Sequence, residues 1–335
     1  MLNIIHSLPP DFLHTPATEL HRVLDGPTLI HLEGRRQPAL FVSILLHGNE
    51  DVGLHAMQQL LQKYRERELP RTLSLFVGNV AAAAAGVRRL PEQPDYNRAW
   101  PGGNETGSPE HTMLNRVVEE MRQRGVFASV DLHNNTGLNP HYACVNRLEP
   151  EFLHLATLFS RTVVYFTRPT GVQSLAFASL CPAVTVECGR VGERRGVEHA
   201  RDYVEACLRL SALPSHPVSP RDVDLFHTVA TVRIPDDVRF GFDEPEVDLV
   251  LPANIEQLNF RELAAGTPFA RARRSGRTLL EVKDEQGIER FDHFFRQRDG
   301  QILLRRSVMP AMLTRDKQAI RQDCLGYFME RYPLP

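Results

Sequence analysis

The sequence predicts an α/β fold: a mixed, mostly parallel sheet flanked by helices, followed by a smaller β-rich C-terminal domain. Three observations predict it. Apolar runs rich in β-formers alternate with stretches of helical period up to residue 212. Three of those runs stop at a His or a Glu beside a turn, as strands do where an open parallel sheet gathers its carboxyl ends. Beyond this, Pro214, Pro217 and Pro220 break the helical pattern, and short β-like pieces follow. The expected domains are therefore residues 1–212 and 213–335.

Taken in order, residues 28–33 follow Pro27 and read as a strand ending at Gly34. Residues 39–46 form the next, closed by His47-Gly-Asn-Glu50. Residues 51–64 carry Val52, Leu54, Met57, Leu60 and Leu61 at helical spacing. Residues 72–79 are a strand ending at Gly78-Asn79. Residues 80–109, rich in Ala, Pro, Gly and Arg, read as too irregular for one element, and the alanines from Ala81 to Ala85 are too few to count as a low-complexity tract. Long irregular loops in compact domains are commonly functional. A helix over residues 109–124, a strand over 126–133, a helix over 151–159 and strands over 162–166 and 183–189 follow, then a helix over 197–212. In the second part, residues 224–233, 246–251 and 278–283 read as strands. A hairpin about Asp299-Gly300 joins residues 291–296 to 302–305.

Composition excludes several function classes. A net charge of −2 provides no global field for nucleic acid or an anionic membrane. The basic cluster Arg271-Ala-Arg-Arg-Ser-Gly-Arg277 lacks interleaved aromatics for base stacking and reads as a solvated turn. Five cysteines, an odd number with no CxxC pair, argue against a disulfide framework and for a reducing, cytoplasmic setting. The start of the chain has no signal-peptide pattern, and no apolar run reaches 18 residues, so no membrane span is expected. The expected partner is a small molecule, and a homo-oligomer is compatible with the composition.

His47 and Glu50 lie three apart on one tight turn, so both can reach one cation. Zinc takes His nitrogen and carboxylate oxygen, and a catalytic site usually has a third protein ligand. His133 ends another strand of the same alternation and can supply it. Alternation points Asp131 the same way as His133, as its electrostatic partner. Glu187 ends a third such strand, before Gly189. Singly, each histidine is compatible with an ordinary strand end; together the residues match a zinc site with a nearby base. Zinc lowers the pKa of bound water to about 7 and polarises a carbonyl. A neighbouring carboxylate can take that proton and return it.

In order, His47-Gly-Asn-Glu50, Asp95-Tyr-Asn97-Arg98-Ala-Trp-Pro-Gly102, Asp131-Leu-His133 and Val186-Glu187-Cys-Gly189 resemble the succinylglutamate desuccinylase/aspartoacylase family of the wider zinc-carboxypeptidase group. The resemblance covers about residues 38–210, and the family also has a β-rich tail. It implies a zinc-carboxypeptidase-like fold and one Zn2+ per chain, held by His47, Glu50 and His133. It implies Glu187 as the general base and acid. It implies Asn97 and Arg98 as the grip on the carboxylate of the amino-acid part, with Arg98 also polarising the amide carbonyl. Arg offers a planar fork suited to a carboxylate. Arg88 is the second family arginine, with Arg89 as the alternative, because Arg88-Arg89-Leu90 lacks the family's following aromatic. The loop from Asn134 to Tyr142 departs from the desuccinylase pattern; His141 and Tyr142 either line the site or, the favoured reading, form a polar loop, and Arg168 could contact an acidic acyl group. Cys188 is not needed as a nucleophile.

The function that follows is zinc-dependent hydrolysis of the amide bond of an N-acyl amino acid, with N-succinylglutamate first and N-acetylaspartate next. A zinc carboxypeptidase acting on peptides is the second reading. A non-catalytic binding module on the same fold is the third, and the intact His47, Glu50, His133 and Glu187 argue against it. A site narrowed by the β-rich tail favours small acyl amino acids; an open cleft favours peptides.

Overall fold

The computed structural model describes residues 1–244, 246–273 and 279–334. Strands β1 (Asn3–Ile5), β2 (Thr28–Leu32) and β3 (Ala39–Ile44) lead into helix α1 (Val52–Lys63). Next come β4 (Leu73–Val77), α2 (Val80–Ala85), α3 (Pro109–Arg124) and β5 (Val126–Asn135). They are followed by β6 (Tyr142–Val145), α4 (Pro150–Thr157), β7 (Thr162–Tyr165), α5 (Gln173–Phe177), β8 (Ala183–Arg190) and α6 (Arg194–Arg209). The rest of the chain supplies β9 (Asp224–Arg233), β10 (Phe240–Phe242), β11 (Leu249–Leu251), β12 (Pro268–Ala272) and β13 (Glu281–Asp284). It ends with α7 (Phe291–Phe294), β14 (Phe295–Arg298), β15 (Gln301–Leu304), β16 (Met309–Ala311), α8 (Lys317–Gln322) and β17 (Gly326–Arg331).

The larger sheet has 12 strands in the order β1-β2-β4-β3-β5-β8-β6-β7-β9-β17-β16, with β13 on β9. Its centre is parallel: β4, β3, β5 and β8 run together. Helices cover both of its faces. On one, Phe41 of β3 stacks on Phe177 of α5, with ring centroids 4.3 Å apart. On the other, Gly53 of α1 lies against Ile44 and Leu132. Burial on both faces makes β3 a nearly unbroken apolar run. Side chains alternate along a strand, so Phe41, Ser43, Asp131 and His133 share the α5 side. The Ser43 hydroxyl accordingly donates to Asp131 Oδ1 across the β3–β5 pair at 2.7 Å.

β9 pairs in parallel with β7, and β17 and β16 extend the same sheet, so the larger sheet continues past residue 212. A second sheet, β10-β11-β12-β15-β14, encloses its own core around Phe269 and Phe295, into which Phe328 of β17 packs.

Local chemistry explains where elements start and stop. Ser108 caps α3 by accepting from His111 N–H at 3.0 Å, and Pro109 occupies its first turn. The structure also corrects the expected elements. Residues 80–109 hold more order than their composition implies, because Val80–Ala85 is a helix. Its first turn is capped by Asn79 Oδ1, 3.1 Å from Ala82 N, and Gly86 ends it at φ +65°. Alanine is the strongest helix former, so a short capped run suffices. The hairpin about Asp299-Gly300 pairs Phe295–Arg298 with Gln301–Leu304, because residues 291–294 coil into α7. The strand expected over 246–251 is confined to Leu249–Leu251, and that expected over 278–283 lies at Glu281–Asp284. Thr278 and residues 274–277 of the basic cluster lie outside the described residues. Among the described residues, no helix is long and apolar enough to cross a membrane.

Candidate active site

The turn after β3 is built by close backbone packing. Leu45 adopts φ +53°, a left-handed conformation that bends the chain out of the strand. Its carbonyl accepts from Asn79 N–H at 2.6 Å, tying the exits of β3 and β4 together. Gly48 donates its N–H to the Arg88 carbonyl at 3.1 Å and lies against α2. A Cβ at Gly48 would meet the Ala82 carbonyl carbon at 2.2 Å, so only glycine fits.

This turn delivers His47 and Glu50 to the carboxyl end of β5, where His133 stands. Candidate ligand atoms of His47, Glu50 and His133 all lie within 4.8 Å of one another, and all three residues are buried. The Nδ1 atoms of His47 and His133 each sit 2.8 Å from one oxygen of Glu50. Their outer nitrogens face other carboxylates. His47 Nε2 is 3.0 Å from Asp95 Oδ1, and His133 Nε2 is 2.8 Å from Asp131 Oδ2. A carboxylate on Nε2 holds the proton there and leaves Nδ1 as a lone pair, the arrangement typical of metal-bound histidine. Burial opposes charge on Glu50, yet the two imidazoles outweigh it and hold its carboxyl well below the usual carboxylate range. Burial likewise opposes charge on His133, and Asp131 and Glu50 outweigh it, raising its pKa. The cluster thus favours positive charge at its centre. Two nitrogens and a carboxylate, each histidine backed by a carboxylate, fit a resident zinc.

Glu187 pairs in register with His133 across β5–β8 and with Tyr142 across β8–β6. Its Oε2 is buried and, among the described residues, has no hydrogen-bond partner. Burial pushes its pKa up to about 8, with Glu50 and Asp131 adding to the rise and His133 opposing it. His47, Glu50, His133 and Glu187 line one pocket of about 760 Å³, measured out to its open mouth, together with Arg88, Asn97 and Arg98.

Residues 36–212 match the succinylglutamate desuccinylase/aspartoacylase catalytic domain, over half of the 335 residues. The chain belongs to the succinylglutamate desuccinylase/aspartoacylase family. Members of this family are amidohydrolases. No curated protein matches the chain in sequence. Its fold is similar to that of succinylglutamate desuccinylase from Chromobacterium violaceum, at 16% identity, covering 90% of this chain and 87% of that one with a TM-score of 0.56. It is also similar to a succinylglutamate desuccinylase/aspartoacylase from Rhodobacter sphaeroides, at 14% identity, 90% and 88% coverage and a TM-score of 0.55. Murine aminoacylase 3 shares the fold at 15% identity, covering 89% and 97%, with a TM-score of 0.54. At these identities the likeness shows the fold, the zinc-carboxypeptidase-like arrangement of the desuccinylase/aspartoacylase family.

In this family member the arginines are held by acids. Arg88 donates from Nε and a terminal nitrogen to Asp95 Oδ2, at 3.1 and 2.8 Å. Arg98 donates to the Asn97 carbonyl and to Asp323 Oδ1, both at 2.8 Å, and Asp323 also lies 3.4 Å from Arg88. Arg89 instead donates to the Gln93 carbonyl and does not line this pocket. The Asn97 side chain is engaged locally: its Oδ1 accepts from Gln173 N–H at 3.1 Å, and its Nδ2 is 3.3 Å from His133 Nε2. His141 stacks on His199 and does not line this pocket, whereas Tyr142 does. Arg168 stands at the mouth, its Nε donating to the Glu285 carbonyl. Sequence reasoning missed Asp323 and Tyr327, and assigned no role to Asp95. The spacing of Asp95 two residues before Asn97 was available as a signal; Asp323 had none, since it meets Arg98 from 225 residues away.

Proposed function

We propose that this family member is a zinc-dependent amidohydrolase that cleaves an N-acyl amino acid to a carboxylate and a free amino acid. The observation that carries it is one pocket holding His47, Glu50 and His133 beside the buried, unpartnered Oε2 of Glu187. Zinc on the three ligands would supply the Lewis acid that acidifies water and polarises the scissile carbonyl. Glu187 takes a proton from the attacking water and returns it to the leaving amine. A carboxyl lifted by burial suits a group that must both accept and give a proton near neutrality. Arg98 holds the substrate carboxylate through N–H groups beyond those given to Asn97 and Asp323, and Arg88 steadies Asp95 behind His47. Asn97 steadies the Arg98 turn, its Oδ1 accepting from Gln173 N–H.

The resemblance puts N-succinylglutamate first among substrates and N-acetylaspartate next. Ala311, Met312, Asp323, Tyr327 and Met329, all from the C-terminal part, wall the pocket, which favours a small acyl amino acid over a peptide. Glu187→Gln tests the mechanism. Turnover is expected to fall by about 100-fold or more, the usual weight of a general base, with zinc content unchanged. Wild-type turnover in that variant would remove Glu187 from the base role.

A further inference from the structure

The pocket changes character along the sheet. In strand order its lining runs from the His47 turn after β3 to His133 on β5 and Glu187 on β8. It continues through Tyr142 and Cys144 on β6 and Val164 on β7, then past β9 to Met329 on β17 and Ala311 on β16. Tyr142, Val164, Ala311 and Met329 are buried and form one apolar cluster, against which Cys144 and Met312 pack. The Tyr142 hydroxyl is turned onto Met312 Sδ at 3.0 Å. Thr185 and Thr228 add hydroxyls to the lining but no charge. None of these six wall residues carries a charge. Arg88 and Arg98 are gathered at Asp323, and Arg98, Arg168 and Asp323 also border an outer basin that none of the six wall residues reaches.

We propose that this wall is the acyl subsite and that the acyl group it takes is apolar and uncharged, not the dicarboxylic succinyl group. This rests on the amidohydrolase reading above and, within it, sets aside the lead substrate of the resemblance, N-succinylglutamate. In an N-acyl amino acid the carboxylate sits on the carbon next to the amide nitrogen, and the acyl chain leaves from the other side of the scissile bond. A carboxylate held by Arg98 therefore leaves the acyl chain to the lining on the other side of the scissile bond, which we assign to the wall. A second carboxylate there would lie against Met, Val and Ala side chains with no cation among the wall residues, a burial that charge does not tolerate. An apolar chain gains from the same contacts.

The test uses the full-length, zinc-supplemented protein and the N-acetyl, N-butyryl, N-hexanoyl and N-succinyl derivatives of glutamate, aspartate and leucine. On the amino acid that is turned over, kcat/KM is expected to be at least about tenfold higher for the best neutral acyl group than for succinyl. It should rise about threefold per added CH2 until the wall is filled. Hexanoate should also bind more tightly than succinate by calorimetry. Met312→Arg, at a partly buried position, should narrow the preference by placing a cation in the wall. A succinyl preference, or succinate binding more tightly than hexanoate, would overturn the apolar subsite and leave the amidohydrolase reading standing. Hydrolysis of none of these amides would defeat that reading and the subsite with it.

Discussion

Asp131 is fully buried and both of its oxygens are engaged, one by the Ser43 hydroxyl and one at His133 Nε2. It therefore sets the tautomer of a candidate ligand without touching the cation. Asp131→Asn should weaken zinc affinity by about 10–100-fold, the usual weight of such a partner, measured by competition with a chelator. Unchanged affinity would mean that the β5 backbone alone orients His133. Arg98 donates to Asn97 and Asp323, and the proposed grip asks it to keep N–H groups for substrate as well. In Arg98→Lys an ammonium cannot meet all three, and kcat/KM should fall by about tenfold or more through a higher KM; wild-type kinetics would take Arg98 out of the grip. At this scale much was legible in the sequence. The histidines and acids announce themselves because each follows an apolar run in the sequence, although β5 itself continues to Asn135 and β8 to Arg190. Asp323 does not, because only tertiary folding brings it to the two arginines, and no spacing encodes that.

The element that aims the cluster is the turn between β3 and α1, and it is rigid because it has no room. Gly48 lies against the backbone of α2, a helix formed by the alanine run and capped by Asn79. Gly48→Ala forces a Cβ into that backbone. It should cost about 1–3 kcal/mol, as overpacking does, and lower zinc retention, because His47 and Glu50 ride on the same turn. Urea denaturation and metal analysis of the variant check both effects; wild-type values in each would show that the turn can yield. Strands buried on both faces, such as β3 and β5, are readable as apolar runs. β6 and β16 escape notice because they are short. β17 escapes because it ends in Glu330 and Arg331. α2 escapes because a polyalanine turn carries no amphipathic pattern, only propensity and a cap.

Across the whole molecule, the organisation into residues 1–212 and 213–335 is our proposal, and the two parts share one sheet. β9 adds to β7, and β17 brings Tyr327 and Met329 back to the pocket while the turn after α8 brings Asp323. The candidate ligands and base thus come from the first part, and much of the wall proposed to select the substrate from the second. Parallel central strands and helices on both faces follow from the β/α alternation, which is why the fold class was readable. The joining of the tail to the same sheet was not, because nothing in β9 alone says which edge it will pair with. The central claim joins metal to hydrolysis, so the most direct measurement is zinc content and N-acyl amino acid hydrolysis on one and the same purified sample. One zinc per chain with release of a free amino acid is the predicted result. A protein that takes up no zinc when it is supplied, or that takes it up and cleaves no N-acyl amino acid, would contradict the account.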